Sequence, residues 1–313
     1  MNTNQNLLNW LLDSDPSIRW QVMKDLLYEP PAIYEKERSL LAQNGWCAQL
    51  LGFQDEDGLW NKSLYNGKWL STTYSLYLLK LLGLSPQNQQ ALKGCKQLIA
   101  QGNYQDREIR FSRSQNSQDL GVSAIVLSLC CYFGYEADII PNLALFLADH
   151  QTDGGNWLPY ASPSAEDYTF ETTLLVLEAL MQFQNHSPAE ENHRLTEAVQ
   201  KGQDFLLRNN LGLRENKPIK NQWSTFSFPS YWFYDILTAV DYFCTFRTNK
   251  NKRIQMAVDL ILHKATDNGR WLLGSHHPGK TYFEMEKPGS VSRWNTLRTL
   301  RIMSWWDGSK TRR

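Results

Sequence analysis

Asp167 and Glu171 stand four residues apart in a segment of helical period, so both carboxyls can share one helix face. Carboxyls held in an aromatic cavity have raised pKa values and can work as general acid and base. The structural alternative is that Asp167 supports a helix N-terminus and Glu171 pairs with an arginine such as Arg293 or Arg298. Asp235 and Glu284 are further acids of the same kind. His276-His277-Pro278-Gly279-Lys280 forms a polar stretch just before Phe283-Glu284-Met285-Glu286. Two imidazoles beside a carboxylate suit an acid–base loop or a lid, and the plain alternative is a solvated connector.

Candidates for holding a substrate are aromatic or polar residues near the starts of apolar helices: Tyr74, Asp119, Tyr168, Tyr231, Trp232, Tyr234, Arg293 and Trp294. Tyr231, Trp232 and Tyr234 belong to the densest aromatic segment, Phe226 to Asp235. Their polar-tipped rings suit a carbocation or a sugar face, with ordinary core packing as the alternative. Arg293, Arg298 and Arg301 have enough acidic partners for salt bridging to be their expected use. Metal ligation is not expected: no pair of histidines stands at i, i+4, and Asp241 with Cys244 at i, i+3 has no well-placed histidine. No cofactor is expected either, and the G-x-S-x-G elbow of a serine hydrolase is missing.

The elements that position these residues are punctuated by a recurring string, Q-x-x-x-G-x-W. Its copies are Gln54, Gly58, Trp60 and Gln151, Gly155, Trp157; a third retains Gly269 and Trp271 but has Ala265 in place of glutamine. Each follows one helical segment and precedes another. Glutamine can reach free backbone groups of a helix end, glycine permits positive φ, and tryptophan seals the layer. The three tryptophans lie about 100 residues apart, about two helix-pair units of roughly 50. Two further joints are expected at Gly102–Phe111 and Gly212–Trp223.

One set of helices starts near Pro16, Leu70, Asp119, Asp167, Pro229 and Val291. Its apolar stretches, such as Val122–Phe133, require burial on every side. The alternating set starts near Leu7, Glu35, Asn88, Ile139, Glu190 and Lys252, and is amphipathic. The first set predicts an inner ring and the second an outer sheath. The expected fold is all-α, an (α/α)6 toroid of helical hairpins, with residues 1–313 as one domain.

On the residues Gln54, Gly58, Trp60, Gln151, Gly155 and Trp157, with Gly269 and Trp271 in part, the chain resembles the prenyltransferase and squalene-cyclase repeat superfamily. The resemblance implies an α/α toroid and a central cavity for an isoprenoid-like molecule. The chain departs from that superfamily's chemical motifs. Asp13-Ser14-Asp15-Pro16 and Asp55-Glu56-Asp57-Gly58 are its nearest strings to the D-x-D-D acid, and neither ends in two aspartates. No D-D-x-x-D occurs, and triterpene cyclisation is not expected.

Composition narrows the partners. The 32 basic and 32 acidic residues cancel, which argues against nucleic acid. No window approaches the ~20 apolar residues of a membrane span. Residues 1–6 lack the features of a signal peptide, and five cysteines without a C-x-x-C fit a reducing, cytoplasmic setting. The expected partner is therefore a small molecule. An apolar or isoprenoid-like ligand in an aromatic cavity is the first reading. A saccharide bound by a glycosidase or lyase, and a scaffold whose ring is filled by its own side chains, are the others.

Overall fold

A helix without a polar face has to be surrounded, and this decides which helices lie inside. The computed structural model describes residues 3–112, 119–159, 169–187 and 192–308. Helix α7 (Leu120–Phe133) is buried along almost its whole length and touches helices on several sides: α5 (Thr72–Leu82), α6 (Gln89–Gly102), α8 (Ile139–Asp149) and α9 (Thr169–His186). Beyond α9 the inner series continues through α11 (Ile236–Thr245) to α13 (Arg293–Asp307), which packs against α2 (Pro16–Asp25). The Trp20 indole N–H donates to the Leu82 carbonyl at 3.1 Å and joins α2 to the end of α5. The inner helices thus run α2, α5, α7, α9, α11, α13 and return to α2.

The outer helices are one-sided. In α10 (His193–Arg208), Leu195, Ala198, Val199, Gly202, Leu206 and Leu207 make the buried face, the spacing of an apolar stripe. Around the outside run α1 (Thr3–Leu12), α3 (Pro31–Ser39) with α4 (Gly45–Leu51), then α6, α8, α10 and α12 (Gln255–His263). The alternation of inner and outer helices is that of an α/α toroid.

The three tryptophan turns make the same bonds. The indole N–H of Trp60, Trp157 and Trp271 donates to the carbonyl of Leu50, Leu147 and Ile261, in the closing part of the preceding outer helix. Their backbone N–H groups donate to the hydroxyls of Thr72, Thr173 and Thr296 on the following inner helix. Gln54 donates to the Gly58 and Gln90 carbonyls, and Gln151 to those of Gly155 and Ala198. Each glutamine therefore closes its own turn and reaches the next outer helix. Gly155 has φ +85°, and a Cβ there would lie 2.6 Å from the Lys201 carbonyl oxygen.

Several expected boundaries are corrected. The helix expected over Glu35–Leu51 breaks into α3, a 3-10 turn and α4, because Asp15 accepts from the Trp46 N–H and crowds Gly45, whose φ is +75°. The helix expected from Pro229 begins only at Ile236. Tyr231 is left-handed at φ 49° and Asp235 caps the helix by accepting from the Thr238 N–H, so Tyr231, Trp232 and Tyr234 lie in the preceding loop. The joints expected at Gly102–Phe111 and Gly212–Trp223 contain two-residue ribbons, β1 (Asn103–Tyr104) with β2 (Glu108–Ile109) and β3 (Leu213–Arg214) with β4 (Lys217–Pro218). A third ribbon pairs β5 (Trp271–Leu272) with β6 (Val291–Ser292), so the last helix starts at Arg293 rather than Val291.

Candidate functional site

The N-terminal ends of α7 and α9 form one wall of a cavity of about 260 Å³. Asp119 caps α7, its carboxylate accepting from the Val122 N–H at 3.0 Å. Glu171 stands in the first turn of α9, where the Trp223 indole N–H reaches its Oε1 at 3.4 Å. Both carboxyls line the cavity, whose other walls include Tyr65, Val122, Ile125, Leu175 and Trp232. Burial raises the Asp119 pKa above the ordinary carboxylate range, against the opposing pull of the Val122 and Gly121 amides. A raised pKa favours the protonated form, the state in which a carboxyl can give up a proton.

Three sequence candidates, Asp119, Glu171 and Trp232, thus meet at one site. Tyr74 stands one residue behind it, hydrogen-bonded to the Tyr65 hydroxyl at 3.0 Å. Asp167 and Tyr168 lie outside the described residues. Tyr65 was not singled out in the sequence, since it lies in a loop without helical period. Its neighbourhood gives the only cue, a cluster of aromatic and small polar residues just before α5.

The other candidates are placed elsewhere. Tyr231 stacks on Trp69 at 3.9 Å between ring centres, and Tyr74 meets both rings edge-on. His277 stacks on Phe233 at 3.9 Å, while the Trp69 indole N–H donates to the Pro278 carbonyl at 3.1 Å. Burial, with His276 and Lys68 nearby, lowers the His277 pKa to about 4. Residues 276–286 therefore lie as a strap over the aromatic stack, leaving a cleft of about 40 Å³ beneath them. The His276 Nε2–H donates to the Glu286 carbonyl, and the ring sits 3.8 Å from the half-exposed Glu284. Tyr234 is buried, its hydroxyl donating to the Leu211 carbonyl. Asp235 is spent on its cap, and burial raises its pKa. Arg293 donates to the carbonyls of Trp10 and Asp13, on the outer side of the ring. Trp294 stacks on Phe228 at 4.3 Å.

A second cavity, of about 220 Å³, follows the ring axis toward the C-terminal ends of the inner helices. Its charged wall was legible in the sequence only as salt bridging. Arg298 donates to Asp241 at 3.0 Å and to the Thr238 hydroxyl, and Arg301 donates to Asp241, Asp25 and Gln21. Lys80 meets Glu178 at 2.5 Å across the ring. Burial alone would raise the Asp241 pKa, but Arg301 and Arg298 outweigh it and hold the group below the ordinary range. The sequence signal for Lys80 and Glu178 was a charge set within an apolar run, Leu78-Leu79-Lys80-Leu81-Leu82 on α5 and Val176-Leu177-Glu178-Ala179-Leu180 on α9. Among the described residues no helix is long and apolar enough to cross a membrane.

No protein-family model matches the chain, and no curated protein matches it in sequence. Among solved structures it is similar to a type II terpene cyclase from Scytonema in complex with geranylgeranyl dihydroxybenzoate, at 15% identity and TM-score 0.48, covering 97% of this chain and 96% of that one. It is also similar to an unsaturated glucuronyl hydrolase specific for heparin, at 9% identity and TM-score 0.48, covering 94% and 84% of the two chains. A protein from Actinoplanes matches at 15% identity and TM-score 0.47 over 97% and 98%. At these values none of the likenesses bears on a reaction.

Proposed function

We propose that the chain is a small-molecule-binding toroid that takes an apolar, isoprenoid-like ligand at the mouth between α7 and α9 and acts on it by acid–base chemistry. The observation that carries this reading is the cavity of about 260 Å³, where Asp119 and Glu171 stand among Val122, Ile125, Leu175, Tyr65 and Trp232. Asp119, whose protonated form burial favours, gives its proton to a carbon–carbon double bond of the ligand. The π electrons of that bond form the new C–H bond, and the adjacent carbon becomes cationic. The faces of Tyr65 and Trp232 suit that cation. Glu171 then takes a proton from the neighbouring carbon and the double bond re-forms; Glu171 releases that proton to solvent, and solvent returns one to Asp119. A cytoplasmic setting suits the five cysteines, all of them buried and free.

Asp119→Asn separates chemistry from structure. Asparagine caps a helix as well as aspartate, so α7 keeps its cap while the proton donor is lost. The expected outcome, read by mass spectrometry of a polyprenyl probe incubated with each protein, is conversion by the wild type and none by Asp119→Asn, with binding retained. Equal conversion by both would remove Asp119 from the reaction.

A saccharide is the second reading, favoured by one observation: two carboxyls and a partly exposed tryptophan ring share one cavity, the furnishings of a glycosidase site. Quenching of Trp232 fluorescence discriminates, with Trp232→Phe as the blank. A polyprenol that quenches where an oligosaccharide does not supports the first reading, and the reverse supports the second.

A further inference from the structure

The axial cavity is not used by the mouth chemistry. It is lined by residues of all six inner helices, from Trp294 and Thr238 in the first turns of α13 and α11 to Thr245 and Gln182 near the ends of α11 and α9, and shares no lining residue with the mouth cavity. On α13, Trp294 and Arg298 stand four residues apart, and both line it. Arg298 is only 6% exposed and Trp294 1%. Among the described residues the Nη1 of Arg298 and the indole Nε1 of Trp294 have no hydrogen-bond acceptor. Two buried donors left without acceptors on one helix face are costly unless something supplies an oxygen. The charges in the wall are Lys80, Arg298 and Arg301 against Glu178 and Asp241, and Asp25 completes the balance at Arg301 from an adjoining surface groove. Asp241 is shared between two guanidiniums, which leaves Arg298 only partly neutralised.

Leu81, Leu174, Phe228, Tyr242 and Phe246 give the wall an apolar and aromatic part, beside the polar Gln21, Gln182, Ser230, Thr238 and Thr245. At about 220 Å³ the cavity is smaller than the ~300–1,000 Å³ of drug-sized sites, so its occupant is compact. We propose that the axial cavity is a second ligand site, which takes a compact carboxylate with an aromatic or apolar body, its oxygens on Arg298 and Trp294. Guanidinium meets carboxylate in a planar fork, and the indole N–H adds a second donor from the same face.

Benzoate is the probe, titrated calorimetrically at fixed ionic strength. The expected result is one benzoate per chain, with benzyl alcohol (the body without the charge) and inorganic phosphate (the charge without the body) each bound about tenfold more weakly or less. Arg298→Lys keeps the charge opposite Asp241 but loses the fork, and is expected to weaken benzoate about tenfold. Trp294→Phe keeps the stack on Phe228 and removes one donor, for about a threefold loss. It also serves where Arg298→Lys fails to fold. Asp119→Asn is expected to bind benzoate as the wild type does, so failure at the mouth leaves this site standing. No benzoate binding at millimolar concentration, or equal binding by the wild type and both α13 variants, overturns the proposal.

Discussion

His277 shows at a single residue how burial sets chemistry. Its pKa falls from 6.5 to about 4 because the ring is packed against Phe233 and Trp69. A histidine with a lowered folded-state pKa destabilises the fold as pH falls from the unfolded value toward the folded one. The loss therefore belongs between about pH 6.5 and 4, and exposure of part of the ring keeps it to about 2 kcal/mol or less. His277→Phe retains the stack and cannot titrate; its stability, followed by urea melts from pH 7.5 to 4.5, is expected to fall less steeply than the wild type's. Asp119 has the opposite sense. Its pKa is raised by burial, so the protonated donor is present at low pH and conversion is expected to decline as pH rises through the raised value. A conversion rate that climbs with pH would contradict the role given to it. The sequence placed Asp119, Glu171 and Trp232 because they lie at or near helix starts. His276, His277 and Glu284 were read as an acid–base loop or a lid from their polarity alone, which reads the same whether a loop lines a site or covers a stack.

The tryptophan turn is the element on which neighbouring helix pairs are joined. Trp157→Phe keeps most of the ring but strips the Leu147 carbonyl of its donor, and Thr173→Val removes the acceptor of the Trp157 N–H. Each is expected to cost ~1–3 kcal/mol in urea unfolding. The glycines of these turns differ in a way that separates backbone strain from crowding. A Cβ at Gly155 meets the Lys201 carbonyl, whereas one at Gly269 meets nothing within 4 Å. Both have positive φ, so each alanine variant carries strain of ~1–2 kcal/mol, and Gly155→Ala is expected to lose measurably more than Gly269→Ala. Equal losses would show that the turn yields to the extra carbon. These turns were legible in sequence because the bonds require Gln, Gly and Trp at fixed offsets. The ribbons at 103–109 and 213–218 were not, because a two-residue strand is too short to show a period of two.

At the scale of the whole molecule, the ring is closed by α13 against α2, and Arg301 binds Asp25 and Gln21 of the first inner helix together with Asp241 of the fifth. We propose that all 313 residues form one domain, as the alternating helix pattern predicted. Arg301→Met takes the guanidinium from the half-buried Asp25 and leaves Asp241 with Arg298 alone, and is expected to cost ~1–3 kcal/mol, in one cooperative transition. A variant that melts in two steps, with α1 to α10 outlasting α11 to α13, would argue for separate units. The closed series of helices could be read from where apolar faces end, but the division of its interior could not. Tyr231 and Trp294, expected at one central cavity, stack on Trp69 and Phe228, and the space between the inner helices is divided into a mouth and an axial chamber. Stacking partners far apart in sequence leave no local trace.

The claim that the mouth holds an apolar ligand is tested most directly by native mass spectrometry of the purified full-length protein beside its Leu175→Trp variant, whose added ring fills the cavity at α9. The account predicts a co-purifying hydrophobic molecule on the wild type and its loss from the variant. A bound sugar, or an apolar molecule retained equally by both proteins, would contradict it.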